Sequence, residues 1–146
     1  MPSTYAHYRM GQEVIKQVSV PAHDIIMKHK QLYDIGLHGP DILFYYHPLV
    51  TNPVNAIGYG LHERSGKYFF GKAAEIIETA SDKEAALAYI YGFICHFALD
   101  STCHGYIDEK IVQSGVSHTE IEVEFDRSLM IEDGKDPVRQ DLTKHI

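Results

Sequence analysis

Residues 85–99 are apolar almost without interruption, and the run passes directly into His96-Phe97-Ala98-Leu99-Asp100-Ser101-Thr102-Cys103-His104. A helix that is apolar on every face can only sit at the centre of a fold, because each face needs a partner. The sequence therefore predicts a central helix from Asp82 to about His104, opened by the capping box Ser81-Asp82-Lys83-Glu84. Residues four apart share a helix face, so His96, Asp100 and His104 form one ridge. A carboxylate such as Asp100 on a central helix must be paired or must coordinate a cation.

A second patch repeats this chemistry one helix later, in His118-Thr119-Glu120-Ile121-Glu122. His118 and Glu122 again lie four apart, and Ser117 to Glu120 reads as a capping box for a helix from His118 to about Met130. Ile121, Phe125 and Leu129 are its expected core stripe, with Glu120, Glu124 and Asp126 on the solvated face. Imidazoles and carboxylates projecting in pairs suit a borderline divalent cation such as zinc. The plain alternative for His118 and Glu122 is a helix-surface pair worth about 0.3 kcal/mol.

The other segments supply helices to surround the central one. Thr4 to Val18 carries an apolar stripe around His7, and His23 to Tyr33 reads as a second, short helix. Gly36 and Gly39-Pro40 mark a turn, with Pro40 at the first position of a helical stretch from Asp41 to Tyr46. Pro48, Pro53, Gly58 and Gly60 make residues 47–60 an expected loop. Lys67 to Ala80 is helical, and no segment reads as a strand. The polar stretch from Lys135 to Ile146 is expected to be a loose tail or a truncated end. The prediction is an all-α, single-domain multi-helix bundle over residues 1–146, with its site among facing helices.

Composition narrows the function. The 146 residues are 45% hydrophobic and 23% charged, as in a globular protein with one core. A formal charge of −7 excludes a broad basic surface for nucleic acid. No window approaches the ~18 apolar residues of a membrane span, and no apolar leader follows Met1, so a cytoplasmic location is expected. Cys95 and Cys103, about 12 Å apart on one helix, exceed the ~7 Å reach of a disulfide and should be free thiols. Cys103 reads as a packed filler rather than a ligand.

Taken in order, the H-x-x-x-D with a following His, and then the distal H-x-x-x-E, resemble the bacterial zinc-dependent phospholipase C family. That family shares an all-helical fold and a trinuclear zinc site with zinc-dependent single-strand-specific nucleases. The resemblance runs from Tyr5 to about Asp126. It implies that Asp41, His62, His96 and Asp100 hold one zinc and that His104, His118 and Glu122 hold a second. It further implies that Asp100 bridges to a third ion bound by His7. In the family an N-terminal tryptophan completes that third site. This chain has no tryptophan, so two zinc ions are expected and the third is left open. Ile42 stands where the phospholipases carry an aromatic of the choline pocket, whereas Tyr59 matches another.

The resemblance implies metal-dependent hydrolysis of a phosphodiester, with a phospholipid-like substrate and with Asp41 orienting or deprotonating the attacking water. Two alternatives stand beside it. One is a metal-dependent nuclease, for which nucleic acid is substrate only, and the other is a non-catalytic metal-binding member. His23-Asp24 allows a weaker reading as the HD pair of another helical phosphohydrolase group. His23, His29, His38, His47 and His145 are assigned structural or solvated roles. The clusters Phe44-Tyr45-Tyr46 and Tyr68-Phe69-Phe70 are read as core.

Overall fold

The computed structural model describes residues 4–144, so His145, set outside the site above, lies beyond the described residues. Seven α-helices and one 3-10 helix account for the fold, and no strand occurs among the described residues. They are α1 (Thr4–Ile15), α2 (Val20–Lys28), α3 (Lys30–Gly36), the 3-10 helix (Gly39–Tyr45), α4 (Pro53–His62), α5 (Gly66–Thr79), α6 (Lys83–Ser114) and α7 (His118–Glu132).

Helix α6 is the axis of the bundle. α1, α2, α3, α5, α7 and the 3-10 helix all pack against it. It runs to Ser114, well past the expected end at His104, and stops where Gly115 adopts a left-handed φ of 72°. Its cap is Asp82, whose side chain accepts from the Ala85 N–H, rather than Ser81. Enclosure is incomplete, since Ile94 and Phe97 remain 44% and 42% exposed. The tightest contact is with α3. A Cβ on Gly36 would lie 2.2 Å from the Tyr89 carbonyl oxygen, and one on Gly92 would lie 2.1 Å from that of Tyr33. Only two glycines facing each other permit this spacing. It delivers Leu37 and the following turn directly onto α6. Ile15, Ile26, Tyr33, Leu37 and Cys95 form the packed core beside it, and the Tyr33 hydroxyl donates to the Gly11 carbonyl at 2.9 Å.

Several boundaries differ from expectation. Residues 47–60 are not one loop, because Pro53 to His62 is helical. Pro53 occupies the first turn, where its missing N–H costs nothing, and Asn52 caps the Val54 and Asn55 amides. Pro21 likewise starts α2 rather than ending α1, and the chain breaks at His29, so the expected His23–Tyr33 helix is two helices. On α7 the buried positions are Glu122, Asp126 and Met130, while Phe125 is 48% exposed. The stripe is thus rotated by one residue from the expected Ile121, Phe125 and Leu129.

Asp126 explains the rotation. Its two carboxylate oxygens accept the Tyr5 and Ala6 amide N–H groups, each at 2.8 Å. These amides belong to the first turn of α1 and have no partner inside the helix. A negative charge there also suits the helix dipole. Asp133 accepts from the Tyr5 hydroxyl at 2.7 Å, and Arg9 pairs with Glu132 and Asp133, both at 3.1 Å. The acidic face of α7 therefore anchors α1 and sets the position of His7. Asp126→Ala would strand two buried amides and should cost about 2–3 kcal/mol in urea unfolding. A loss below about 0.5 kcal/mol would contradict the anchoring role.

Candidate metal centre

The turn after α3 positions the first site residue. Gly39 has a φ of 54°, which a side chain resists, and a Cβ there would lie 2.2 Å from the His96 ring. Pro40 follows, and Asp41 is thereby carried, buried, against α6. Asp41 Oδ1 lies 3.0 Å from His62 Nε2 on α4. Its Oδ2 lies 3.6 Å from His96 Nε2 on α6. His7, from α1, stacks on His96 with ring centroids 4.1 Å apart and planes 19° apart. Four elements distant in sequence thus meet at one carboxylate.

Ligand-capable atoms converge in two overlapping groups. His7, Asp41 and His96 form one, and His62, His96 and Asp100 form the other, with all chosen atoms of each group within 4.8 Å of one another. His96 belongs to both. His7 is therefore grouped with Asp41 rather than with the Asp100 that the resemblance pairs with it. Around the second group opens a cleft of about 290 Å³, walled by Asp41, His62, Asp100, His104, His118 and Glu122, with Phe44, Pro48, Asn55 and Tyr59 at its edge. Across it, His104 Nε2 lies 3.2 Å from Asp100 Oδ1 and His118 Nε2 lies 2.8 Å from Glu122 Oε1. The His104 and His118 rings are 5.4 Å apart. The trio of His104, His118 and Glu122 faces the same cleft but does not close as tightly as the two groups above.

The hydrogen bonding of the rings favours coordination. His62 Nδ1 lies 2.8 Å from the Gly58 carbonyl, and His96 Nδ1 lies 3.2 Å from that of Leu37. A carbonyl only accepts, so each Nδ1 carries the proton and each Nε2 is left to face the site. The Leu37 carbonyl is invisible in the sequence because it lies 59 residues from His96, whereas Gly58 sits one helical turn before His62 within α4. His7 Nδ1, Asp41 Oδ1 and His96 Nε2 are buried without a hydrogen-bond partner. The Asp41–His62 approach is close but not aligned as a hydrogen bond. Of the described residues only His29 holds another such atom, so unmet coordination is concentrated here. Buried polar atoms normally find partners, and this donor set of imidazole nitrogens and carboxylate oxygens suits a divalent cation such as zinc.

Electrostatics point the same way. Burial, followed by the neighbouring imidazoles of His96, His38 and His62, holds His7 well below its ordinary pKa. Burial likewise lowers His96, against the pull of Asp41 and Asp100. Both rings are neutral at pH 7 and ready to ligate. His62 is raised to about 9, chiefly by Asp41. Burial raises the Glu122 carboxyl, with His118 opposing it. The acidic cluster thus draws a proton onto the exposed side of the site, where a cation would compete for the same charge.

The remaining candidates fall elsewhere. His23, half-buried, and Asp24, exposed, lie 3.5 Å apart and belong to neither group nor to the cleft wall. Cys95 and Cys103 are free. Cys103 lines an apolar groove between α6 and α7, and burial pushes its thiol up, away from a thiolate. Phe44, read as core, instead walls the cleft, 4.7 Å from Tyr59 and 5.8 Å from the His62 ring. Its position three after Asp41, one turn of a 3-10 helix, was the signal available. Gly39→Ala should displace the His96 ring and weaken zinc binding at least ~10-fold, read by competition with a chromogenic chelator while far-UV dichroism is retained. Unchanged affinity would contradict the role given to that turn.

Residues 6–145 match the family described as zinc dependent phospholipase C. No curated protein and no solved structure gives a significant match to the chain. Because the family match covers almost the whole chain, the protein belongs to the zinc-dependent phospholipase C family.

Proposed function

We propose that this protein is a zinc-dependent phosphodiester hydrolase acting on a phospholipid-like substrate in the cleft between α4, α6 and α7. The observation that carries the reading is the convergence of His7, Asp41, His62, His96 and Asp100 with three buried coordinating atoms left unpaired. Those five residues would hold zinc at the two overlapping groups, and His104, His118 and Glu122 would hold it on the other wall. Bound zinc supplies Lewis-acid polarisation of the phosphoryl oxygens and acidifies water near neutral pH.

The chain's own residues supply the rest. Asp41 is placed to orient the attacking water, and one of its oxygens can accept the proton. His62 and His96, fixed by the Gly58 and Leu37 carbonyls, keep Nε2 aimed inward and lose little orientational freedom on binding. Phe44 and Tyr59 make an apolar wall beside the ligands, suited to the uncharged part of a lipid headgroup. The open volume of the cleft favours catalysis over a closed, purely structural metal site. The acidic charge of the chain favours a small ester over a long polyanion.

The zinc-loaded protein should hydrolyse bis-p-nitrophenyl phosphate, and chelation should abolish turnover. Asp100→Asn should lower turnover at least ~100-fold, since it removes a charged ligand shared by the His62 group and the cleft. Full activity in the reconstituted Asp100→Asn protein would contradict the reading. Lecithin assayed against single-stranded DNA separates the lipase from the nuclease, with the lipid expected to be preferred.

A further inference from the structure

From Ile42 to Leu61 the chain holds no Asp, Glu, Lys or Arg, although the molecule carries a formal charge of −7. Within this stretch Tyr46, Leu49, Val50, Ile57 and Tyr59 face solvent, and Leu49 is 97% exposed. Single exposed apolar residues are ordinary. Tyr46, Leu49 and Val50 come together in one uncharged loop, and exposed apolar clusters of this kind mark interaction surfaces.

The segment also keeps its backbone polar groups to itself. The Asn52 side-chain amide donates to the carbonyls of Tyr46 at 3.1 Å and Val50 at 2.9 Å. Asn52 Oδ1 accepts from the Val54 and Asn55 N–H groups at 2.9 and 3.0 Å. Asn55 donates to the Val50 carbonyl at 3.1 Å and accepts from the Asn52 N–H at 3.0 Å. The Val50 N–H donates to the His47 carbonyl at 3.0 Å, across a turn in which His47 has a φ of 46°. Two asparagines therefore tie a loop whose tip is apolar. Groups already paired inside the protein escape most of the penalty of leaving water, about several kcal/mol for each unpaired one. The pairing lies beneath Leu49, 97% exposed, and Val50, 62% exposed.

The loop adjoins the cleft. Pro48, next to Leu49, and Tyr59 both line the cavity that holds His62, Asp100 and His118. No helix among the described residues is long and apolar enough to cross a membrane, so any lipid contact through this face is interfacial.

We propose that residues 46–59 form the surface by which the protein docks on an uncharged or zwitterionic lipid interface. Leu49 and Val50 enter the acyl boundary, and the rim of the cleft is seated against the headgroups. Charge selects this partner. The segment offers no cation to an anionic headgroup, and the acidic molecule is repelled by an anionic surface. The proposal rests on the lipid-hydrolase reading only for the purpose of the contact, and the contact is measurable without turnover.

The test uses the zinc-loaded protein and phosphatidylcholine vesicles in a sedimentation assay. Binding should persist at high salt and should not increase when phosphatidylglycerol is added. Leu49→Ser with Val50→Ser should lower the partition coefficient at least ~10-fold, with turnover of bis-p-nitrophenyl phosphate retained. Because the chain has no tryptophan, Leu49→Trp gives a single reporter, whose emission should shift to the blue with vesicles and be quenched by brominated acyl chains. Absent sedimentation and an unshifted reporter would overturn the proposal, as would binding that requires anionic lipid. A blue shift that grows with protein concentration without vesicles would also overturn it, assigning the patch to a second copy of the chain. Vesicle binding without turnover would leave the docking surface standing and remove the hydrolase reading, and turnover of the soluble ester without vesicle binding would do the reverse.

Discussion

The buried carboxylate of Asp41 organises this protein. It lies against the imidazoles of His62 and His96, on two different helices, and only one of the two is drawn into the charged state. Burial keeps His7 and His96 neutral, so they cannot balance Asp41 and Asp100. Proton affinity moves instead to His62, the most solvent-accessible ring of the two groups. A divalent cation held by His7, Asp41 and His96 would offset this imbalance and give partners to buried polar atoms that now have none. The site is costly to build without such an ion and inexpensive with one.

The fold can be understood as the means of delivering that carboxylate. The paired glycines Gly36 and Gly92 bring α3 onto α6 at a spacing that any side chain would prevent. The backbone then turns at Gly39, where the His96 ring occupies the place of a Cβ, and Asp41 arrives two residues later. On the opposite side, Asp126 holds the first turn of α1 so that His7 can stack on His96. Residues that offer no ligand atom of their own thus decide whether the candidate ligands meet. The same economy appears at the loop before α4, where Asn52 and Asn55 cap a helix and tie the backbone beneath Leu49.

The features legible in the sequence were those carried by local period. The apolar run of α6, its four-residue spacing of His96, Asp100 and His104, and the Ser117 start of α7 need only the geometry of one helix. The all-α class followed from them. What was not legible depended on context. Pro53, Gly58 and Gly60 read as breakers, yet Pro53 sits where a helix tolerates it and the glycines lie within α4. Asp126 read as a solvated acid because its partners, the amides of Tyr5 and Ala6, are about 120 residues away. The pairing of His7 with Asp41 rather than Asp100, and the Leu37 carbonyl that orients His96, are set by tertiary packing that no local pattern encodes.

The most direct measurement is metal content per chain in protein purified without chelator and equilibrated with zinc, determined by elemental analysis. A gathering of imidazoles and carboxylates around two overlapping groups and a facing cleft wall predicts two or three zinc ions per chain. Protein that retains its helical structure and carries no zinc after equilibration would contradict the account.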